Sequence, residues 1–405
     1  MPSLSERLMD ADAWEAFYAY KASLASSGPK LKELRSLIDE RVYRVVAEEI
    51  RNGSFPLARR SVISKMGSEK KRVVYSYPAA HTAVLKLLTW QMLRRYDAIF
   101  SDNLYSFRPG RTAKEAVQKL AREQKRKGCR YAYKVDISNY FNSIPVDRLL
   151  PVLREVLADD PELFLFLADL LSEPAVLERG EAITEEKGIM AGTPQSAFFA
   201  NLYLMDLDRS FAERDIPYAR YSDDILVLGH TMEEVEEEAA RIRAFLAEKG
   251  LRVNPDKEDF FGPDEGWVFL GFLCRGDAMD IAPATVRKLK QKMRRKTRSL
   301  LRWSRRNGVS GEKAAKAFIR IFNRKLLESG EEQTEHELTW SLWFFPVINR
   351  TESLAVIDHY AQECIRVIAE GTHTKARFNL RYEEMKAMGY RSLVHEYYAY
   401  QKRED

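Results

Sequence analysis

The stretch Arg220-Tyr-Ser-Asp-Asp-Ile-Leu-Val-Leu228 sets the tightest limit on what this chain can fold into. Two adjacent carboxylates, Asp223 and Asp224, stand directly before four apolar residues, a pattern that reads as strand, turn and strand. Like charges that close raise each other's pKa unless a cation or hydrogen-bond donors lie between them. A hairpin that presents both acids to a hard divalent cation meets this demand, and an ordinary polar turn is the plain alternative.

A second acid narrows the choice. In Lys134-Val-Asp-Ile-Ser-Asn-Tyr-Phe141, Asp136 ends the apolar strand 131–137, where a buried charge needs a partner. If strands 131–137 and 220–228 are neighbours, three Asp side chains supply oxygen ligands for two Mg²⁺ ions about 3.5 to 4 Å apart, the clamp used for in-line phosphoryl transfer. One ion then lowers the pKa of an attacking 3′-hydroxyl, and both stabilise charge on departing pyrophosphate.

Around these acids the pattern is mixed. Leu31, Leu34, Ile38, Val42, Val45, Val46 and Ile50 recur at helical spacing up to the breaker Asn52-Gly53. Residues 61–77 read as a basic hairpin about a Gly67-Ser68 turn, 78–97 as a helix, and 103–111 as a loop. Thr112 and Glu115 form a capping box that opens the next helix. Helices are expected at 163–171, 197–207 and 232–249, and a closing strand at Trp267–Leu273. Strands alternating with helices, followed by a helical C-terminal part after Pro283, point to an α+β or α/β layer, of which the α+β class is the one expected.

The Cys and His content excludes other chemistry. Cys129, Cys274 and Cys364 are far apart and odd in number, so neither a disulfide framework nor a CxxC zinc site is available. The six His show no pair at ligand spacing and read as surface or packing residues. The start carries acids where a signal peptide needs an apolar stretch, and no run reaches the roughly 18 apolar residues of a membrane span, so a cytoplasmic protein without membrane contact is expected.

Net charge, +5 over 405 residues, says little as a sum and much as a distribution. Residues 287–306 hold eleven Lys and Arg and no acid, which leaves the remainder at −6. Val286, Leu289, Met293, Leu300 and Trp303 make a narrow apolar seam on this helix. Such a helix docks by the seam and turns Arg287, Lys290, Arg294 and Arg298 toward a phosphate backbone, with binding that weakens steeply in salt.

These elements, in this order, resemble a prokaryotic reverse transcriptase of the defence-associated, retron-like or group II intron-like kind, over roughly residues 60–280. The carriers are the basic hairpin Lys70-Lys71-Arg72 and Leu104-Tyr-Ser-Phe-Arg-Pro-Gly-Arg111, with Ser106 for the family's first Gly. They continue with Asp136–Phe141, Gly188–Leu204, Tyr221-Ser-Asp-Asp224, Asn254-Pro-Asp-Lys257 and Phe269-Leu-Gly-Phe272. The Gly192–Asn201 segment departs from the family, being about four residues shorter and lacking the Gly after Gln195.

The resemblance implies a right-hand polymerase. Its parts are an N-terminal helical extension (1–60), fingers (61–130), a palm with an antiparallel sheet and interleaved fingers helices (131–278), a helical thumb (279–330) and a C-terminal helical domain (331–405). In this domain Trp340, Trp343, Phe344, Phe345 and the Tyr-rich end from His373 read as core, with RNA contact the alternative. The resemblance makes Asp136, Asp223 and Asp224 the catalytic metal ligands, with the Ile137 backbone carbonyl, for two Mg²⁺ ions that Mn²⁺ can replace. Lys71, Arg72, Arg108, Phe141, Gln195 and Lys257 contact the incoming dNTP, with Phe141 as the gate against a 2′-hydroxyl and Lys257 as proton donor to pyrophosphate.

The implied activity is RNA-directed DNA synthesis with an RNA template and primer, dNTPs and an RNA–DNA duplex as partners. Lacking a Cys- or His-rich nuclease tail, the chain resembles members that use a dedicated structured noncoding RNA in bacterial anti-phage defence, and the resemblance admits a homo-oligomer. Template-independent or protein-primed DNA synthesis on the same fold, and a non-enzymatic RNA-binding scaffold, are the alternatives.

Overall fold

The computed structural model describes residues 3–24, 28–64, 71–328, 340–372 and 374–404. The chain divides into two compact units, with Gly28–Pro263 and the N-terminal segment up to Ser23 in the first and Asp264–Asp405 in the second. The expected palm boundary at 278 therefore falls inside the second unit.

The first unit opens with helices α1 (Ala11–Ser23), α2 (Gly28–Asp39) and α3 (Val42–Arg51), whose seam residues Ile38 and Val46 are buried. The expected hairpin follows as β1 (Arg59–Ser64) and β2 (Lys71–Ser76), paired antiparallel from Arg59↔Ser76 to Ser64↔Lys71. The Gly67-Ser68 turn and Lys70 lie outside the described residues.

Next come α4 (Ala79–Arg95) and α5 (Ala113–Lys127), the latter opened by both bonds of the Thr112/Glu115 capping box. β3 (Tyr131–Asp136) leads into the short α6 (Tyr140–Ser143), then α7 (Val146–Val156) and α8 (Pro161–Ser172). β4 (Ala175–Glu178) and β5 (Glu181–Thr184) add to the first hairpin as a sheet of order β2-β1-β4-β5. After α9 (Ser196–Tyr203) and α10 (Met205–Glu213), the hairpin β6 (Tyr218–Tyr221) and β7 (Asp224–Gly229) precedes α11 (Met232–Glu248) and β8 (Asp259–Phe261).

The second sheet has the order β6-β7-β3-β8 and is antiparallel throughout. Its centre is apolar: Val135, Ile225, Leu226 and Val227 are completely buried. Helix α11 covers it with Val235, Ala239, Ile242 and Leu246, the face that its spacing marks.

The second unit begins with a three-stranded antiparallel sheet, β9 (Trp267–Phe269), β10 (Phe272–Arg275) and β11 (Ala278–Ile281). The expectation of one strand over Trp267–Leu273 is thus corrected to a hairpin. Leu270 (φ 49°) and Gly271 (φ 90°) turn left-handed, a conformation glycine adopts without strain. A Cβ on Gly271 would also sit 3.3 Å from the Thr285 hydroxyl.

Four helices follow that pack together: α12 (Pro283–Asn307), α13 (Gly311–Leu326), α14 (Trp340–Phe344) and α15 (Glu352–Glu370). The seam of α12 is Val286, Met293, Thr297 and Leu300, while Trp303 is 38% exposed and stands outside it. A twenty-five-residue helix drifts off a strict seven-residue stripe, which carries position 303 away from the packed face. The chain ends in α16 (Tyr382–Ala387) and α17 (Leu393–Glu404). Phe344, Phe345, Tyr390 and Tyr397 are buried as core, whereas Tyr382 and Tyr398 are exposed.

Candidate active site

Antiparallel pairing of β3 with β7 sets the site. Val135 lies opposite Ile225 and Asp136 directly opposite Asp224. Asp223 occupies the turn between β6 and β7, and its carbonyl accepts the Ile137 N–H at 3.1 Å. The three carboxylates that the sequence singled out therefore share one end of one sheet. Ser222, at φ 60°, takes the left-handed turn that reverses the chain. On the other side, the Asn254 N–H, in the loop that precedes β8, bonds the Asp136 carbonyl at 2.7 Å, so the last residue of β3 is held from both sides.

The electrostatics show strain that a cation relieves. Burial, and next the Asp136 charge, push the Asp223 carboxyl above its ordinary range. Asp224 is pushed up to about 6, by burial first, with Lys134 opposing and Asp223 and Asp136 adding to the rise. Among the described residues no three acidic, His or Cys side chains already converge as a metal cage. The Lys257 ammonium instead forms an ion pair with the Asp136 carboxylate. The Lys257 side chain is 43% exposed, so it stays in contact with solvent while paired with Asp136. The donor set of hard oxygens under mutual repulsion fits a hard divalent cation, with Lys257 as the group that must yield at Asp136.

Beneath the turn lies a buried polar cluster. Arg220 and Asp208 are both fully buried, and Asp208 accepts from Arg220 Nε at 2.8 Å, Nη2 at 2.6 Å and the Tyr218 hydroxyl at 2.8 Å. Arg220 also donates to the carbonyls of Ala200, Asn201 and Ser222 at 3.4, 3.1 and 3.3 Å. This pair was not read from sequence. The signal for it was present: an Arg in the buried strand Tyr218–Tyr221 needs a buried acid.

The dNTP residues divide. Lys71 and Arg72 are exposed on β2, and Arg72 lies near enough to bias Asp223 electrostatically. Asn142 stitches β2 to the Asp136 side of the site, donating to the Val73 carbonyl at 3.2 Å and accepting from the Ala191 N–H at 3.0 Å. Phe141 is half-buried with its ring 5.7 Å from that of Tyr140, and its carbonyl accepts the Ile189 N–H at 2.9 Å. Gly188 makes that approach feasible, since a Cβ there would meet the Phe141 carbonyl at 2.6 Å.

Two expectations are corrected. Arg108 is buried with Nε on the Asp97 carboxylate at 2.8 Å and Nη1 on the Ser101 carbonyl at 2.6 Å, so it pins its own loop and has no free face for a nucleotide. Gln195 is fully buried, and neither of its amide atoms has a hydrogen-bond partner among the described residues. Sealed in this way, it is not presented to a base.

In the second unit, Arg287, Lys290 and Arg294 line a cavity of about 560 Å³ with Glu352 and Tyr360. The Lys290 ammonium stands 4.9 Å from the centre of the Tyr360 ring. Among the described residues, none of Arg287, Lys290, Arg294 and Arg298 forms an ion pair, so this face of α12 keeps its charge.

The family described as reverse transcriptase (RNA-dependent DNA polymerase) matches residues 63–274. An uncharacterised 91 kDa protein in the cob intron of Schizosaccharomyces pombe is 27% identical over 172 residues, 42% of this chain and 20% of that protein. The chain thus spans about a fifth of the length of this curated relative. Among solved structures, apo telomerase from Candida tropicalis, truncated from its C-terminal domain, aligns with a TM-score of 0.45 at 12% identity, covering 56% of this chain and 55% of that one. Telomerase from Candida albicans in complex with a fragment of telomeric RNA aligns with a TM-score of 0.44 at 11% identity, covering 84% and 67%.

Proposed function

The chain belongs to the reverse transcriptase (RNA-dependent DNA polymerase) family, and from that premise we propose that it copies an RNA template into DNA from dNTPs. The observation that carries the reading is the register that sets Asp136 opposite Asp224 with Asp223 in the adjoining turn. Two Mg²⁺ ions, held by Asp136, Asp223, Asp224 and the Ile137 carbonyl, would activate the primer 3′-hydroxyl and offset charge on the leaving pyrophosphate.

The other residues bind and orient. Lys71 and Arg72, exposed on β2, hold the triphosphate. Phe141 excludes a 2′-hydroxyl by its bulk, which selects dNTPs over ribonucleotides. Lys257, once displaced from Asp136, donates a proton to the departing pyrophosphate. The first unit supplies the fingers and palm, and α12 serves as the thumb helix whose Arg287, Lys290, Arg294 and Arg298 meet the phosphates of the RNA–DNA duplex.

For the biological setting we propose a dedicated noncoding RNA used in bacterial anti-phage defence. The name of the fission-yeast relative favours an intron-borne setting as the second reading. The test of the activity is extension of a labelled primer on a defined RNA, with single dNTPs withheld in turn: stops at the template-dictated positions support copying, and product whose sequence ignores the template overturns it. Sequencing RNA that copurifies with the protein separates the settings, because one enriched structured RNA marks a dedicated template.

A further inference from the structure

We infer that Ser106 is a positioning residue for the carboxylate turn, its side-chain hydroxyl being the tie that holds Ser222 and, through it, Asp223. Ser106 is fully buried in the loop that follows α4, far from the turn in sequence. Its Oγ accepts the Ser222 N–H at 2.9 Å and donates its one proton to Asn201 Oδ1 at 3.0 Å. The Asn201 amide returns a bond from Nδ2 to the Ser106 carbonyl at 2.7 Å. A hydroxyl has one proton to give, so donation to Asn201 turns a lone pair toward Ser222 and fixes the direction from which that N–H is held.

The backbone around Ser106 is already aligned with β6. Tyr105 N–H bonds the Arg220 carbonyl at 3.0 Å, and Arg220 N–H bonds the Asn103 carbonyl at 2.9 Å. The hydroxyl extends that alignment past the strand end into the turn, where Ser222 is left-handed at φ 60° and 6% exposed. Arg220 grips the Ser222 carbonyl from the other side. The next residue is Asp223, whose carbonyl takes the Ile137 N–H. A path of hydrogen bonds thus runs from Ser106 through the turn to the end of β3, beside Asp136. Alanine or glycine at 106 would leave two buried groups, the Ser222 N–H and Asn201 Oδ1, without this partner, and the turn would lose its fixed direction.

The inference rests on the reading of Asp136, Asp223 and Asp224 as metal-holding carboxylates, and its test separates the two. Full-length Ser106→Ala is compared with wild type and with Asp160→Asn, a control of structural loss alone. Asp160 caps α8 and accepts the Leu4 N–H at 2.6 Å. Three measurements are made: hydrogen exchange at residues 221–224, direct Mn²⁺ binding, and kcat and KM for primer extension. For Ser106→Ala we expect turn exchange faster by about tenfold, weaker Mn²⁺ binding by about the same factor, and a similar fall in kcat with KM for primer–template unchanged. Asp160→Asn should lower the melting temperature without moving Mn²⁺ affinity. Unchanged exchange in Ser106→Ala overturns the role of Ser106, as does an equal loss of Mn²⁺ affinity in both variants. A wild type that neither binds Mn²⁺ nor extends a primer overturns the functional reading instead.

Discussion

Replacing Asp208 by Asn keeps the shape of the residue and removes its charge, which leaves Arg220 as an uncompensated cation at zero exposure. The structure sets the size of the loss. Asp208 takes three hydrogen bonds at 2.6 to 2.8 Å, two of them from Arg220, and the remaining Arg220 bonds run to neutral carbonyls that cannot offset a full charge. Breaking a buried pair of this kind costs about 3 to 5 kcal/mol. Replacing both partners by apolar residues, as in Asp208→Leu with Arg220→Met, leaves no buried charge and should recover most of that stability. Chemical denaturation followed by far-UV circular dichroism gives both values. Polymerase activity should not recover in the double variant, because the Ser222 carbonyl has lost its guanidinium donor. A loss under about 1 kcal/mol in Asp208→Asn, or a double variant as unstable as the single one, would refute the reasoning.

Three further outcomes follow from other parts of the molecule. Phe141→Val should raise relative kcat/KM for ribonucleotides over dNTPs by about ten- to hundredfold, read from single-nucleotide incorporation, while dNTP use changes little. Joint neutralisation of Arg287, Lys290, Arg294 and Arg298 should reduce the slope of log affinity against log salt for a duplex by about 3 to 4, measured by fluorescence anisotropy; an unchanged slope removes α12 from the binding surface. Lys187 is 4% exposed, and burial holds its ammonium below the ordinary lysine range, with Glu173 and Glu185 opposing. The folded state therefore sheds that proton before the unfolded chain does, so stability rises as pH climbs toward the ordinary lysine value of about 10.4. Lys187→Met should abolish this component and raise the melting temperature at neutral pH, which differential scanning fluorimetry across pH will show.

Much of the site could be read from residues because its signals are local. Asp136 ends an apolar run, Asp223 and Asp224 precede another, and pairing of those two runs sufficed to bring the acids together. The capping box at Thr112 is likewise a property of four consecutive residues. What could not be read depends on partners distant in sequence. Nothing local to the Arg-Pro-Gly-Arg loop shows that Asp97 saturates Arg108, so a cation that fastens its own loop looked like one offered to phosphate. Gln195 sits in a segment whose length differs from the resembling motif, and only packing decides whether its amide faces a groove or the core. The run Trp267–Leu273 is apolar on both sides of Gly271, so periodicity does not reveal the turn at its centre. Ser106 looked like a mere substitution for glycine; its hydroxyl acquired meaning once residues 201 and 222 were beside it.

The most direct test is primer extension by the purified wild-type protein on an RNA template with dNTPs, across a Mg²⁺ titration, beside Asp223→Asn. The carboxylate turn as metal-holding centre predicts Mg²⁺-dependent, template-directed DNA from the wild type and a fall of several hundredfold or more, about 4 kcal/mol in the barrier, in Asp223→Asn. Undiminished product from Asp223→Asn, or no Mg²⁺-dependent product from the wild type, contradicts it.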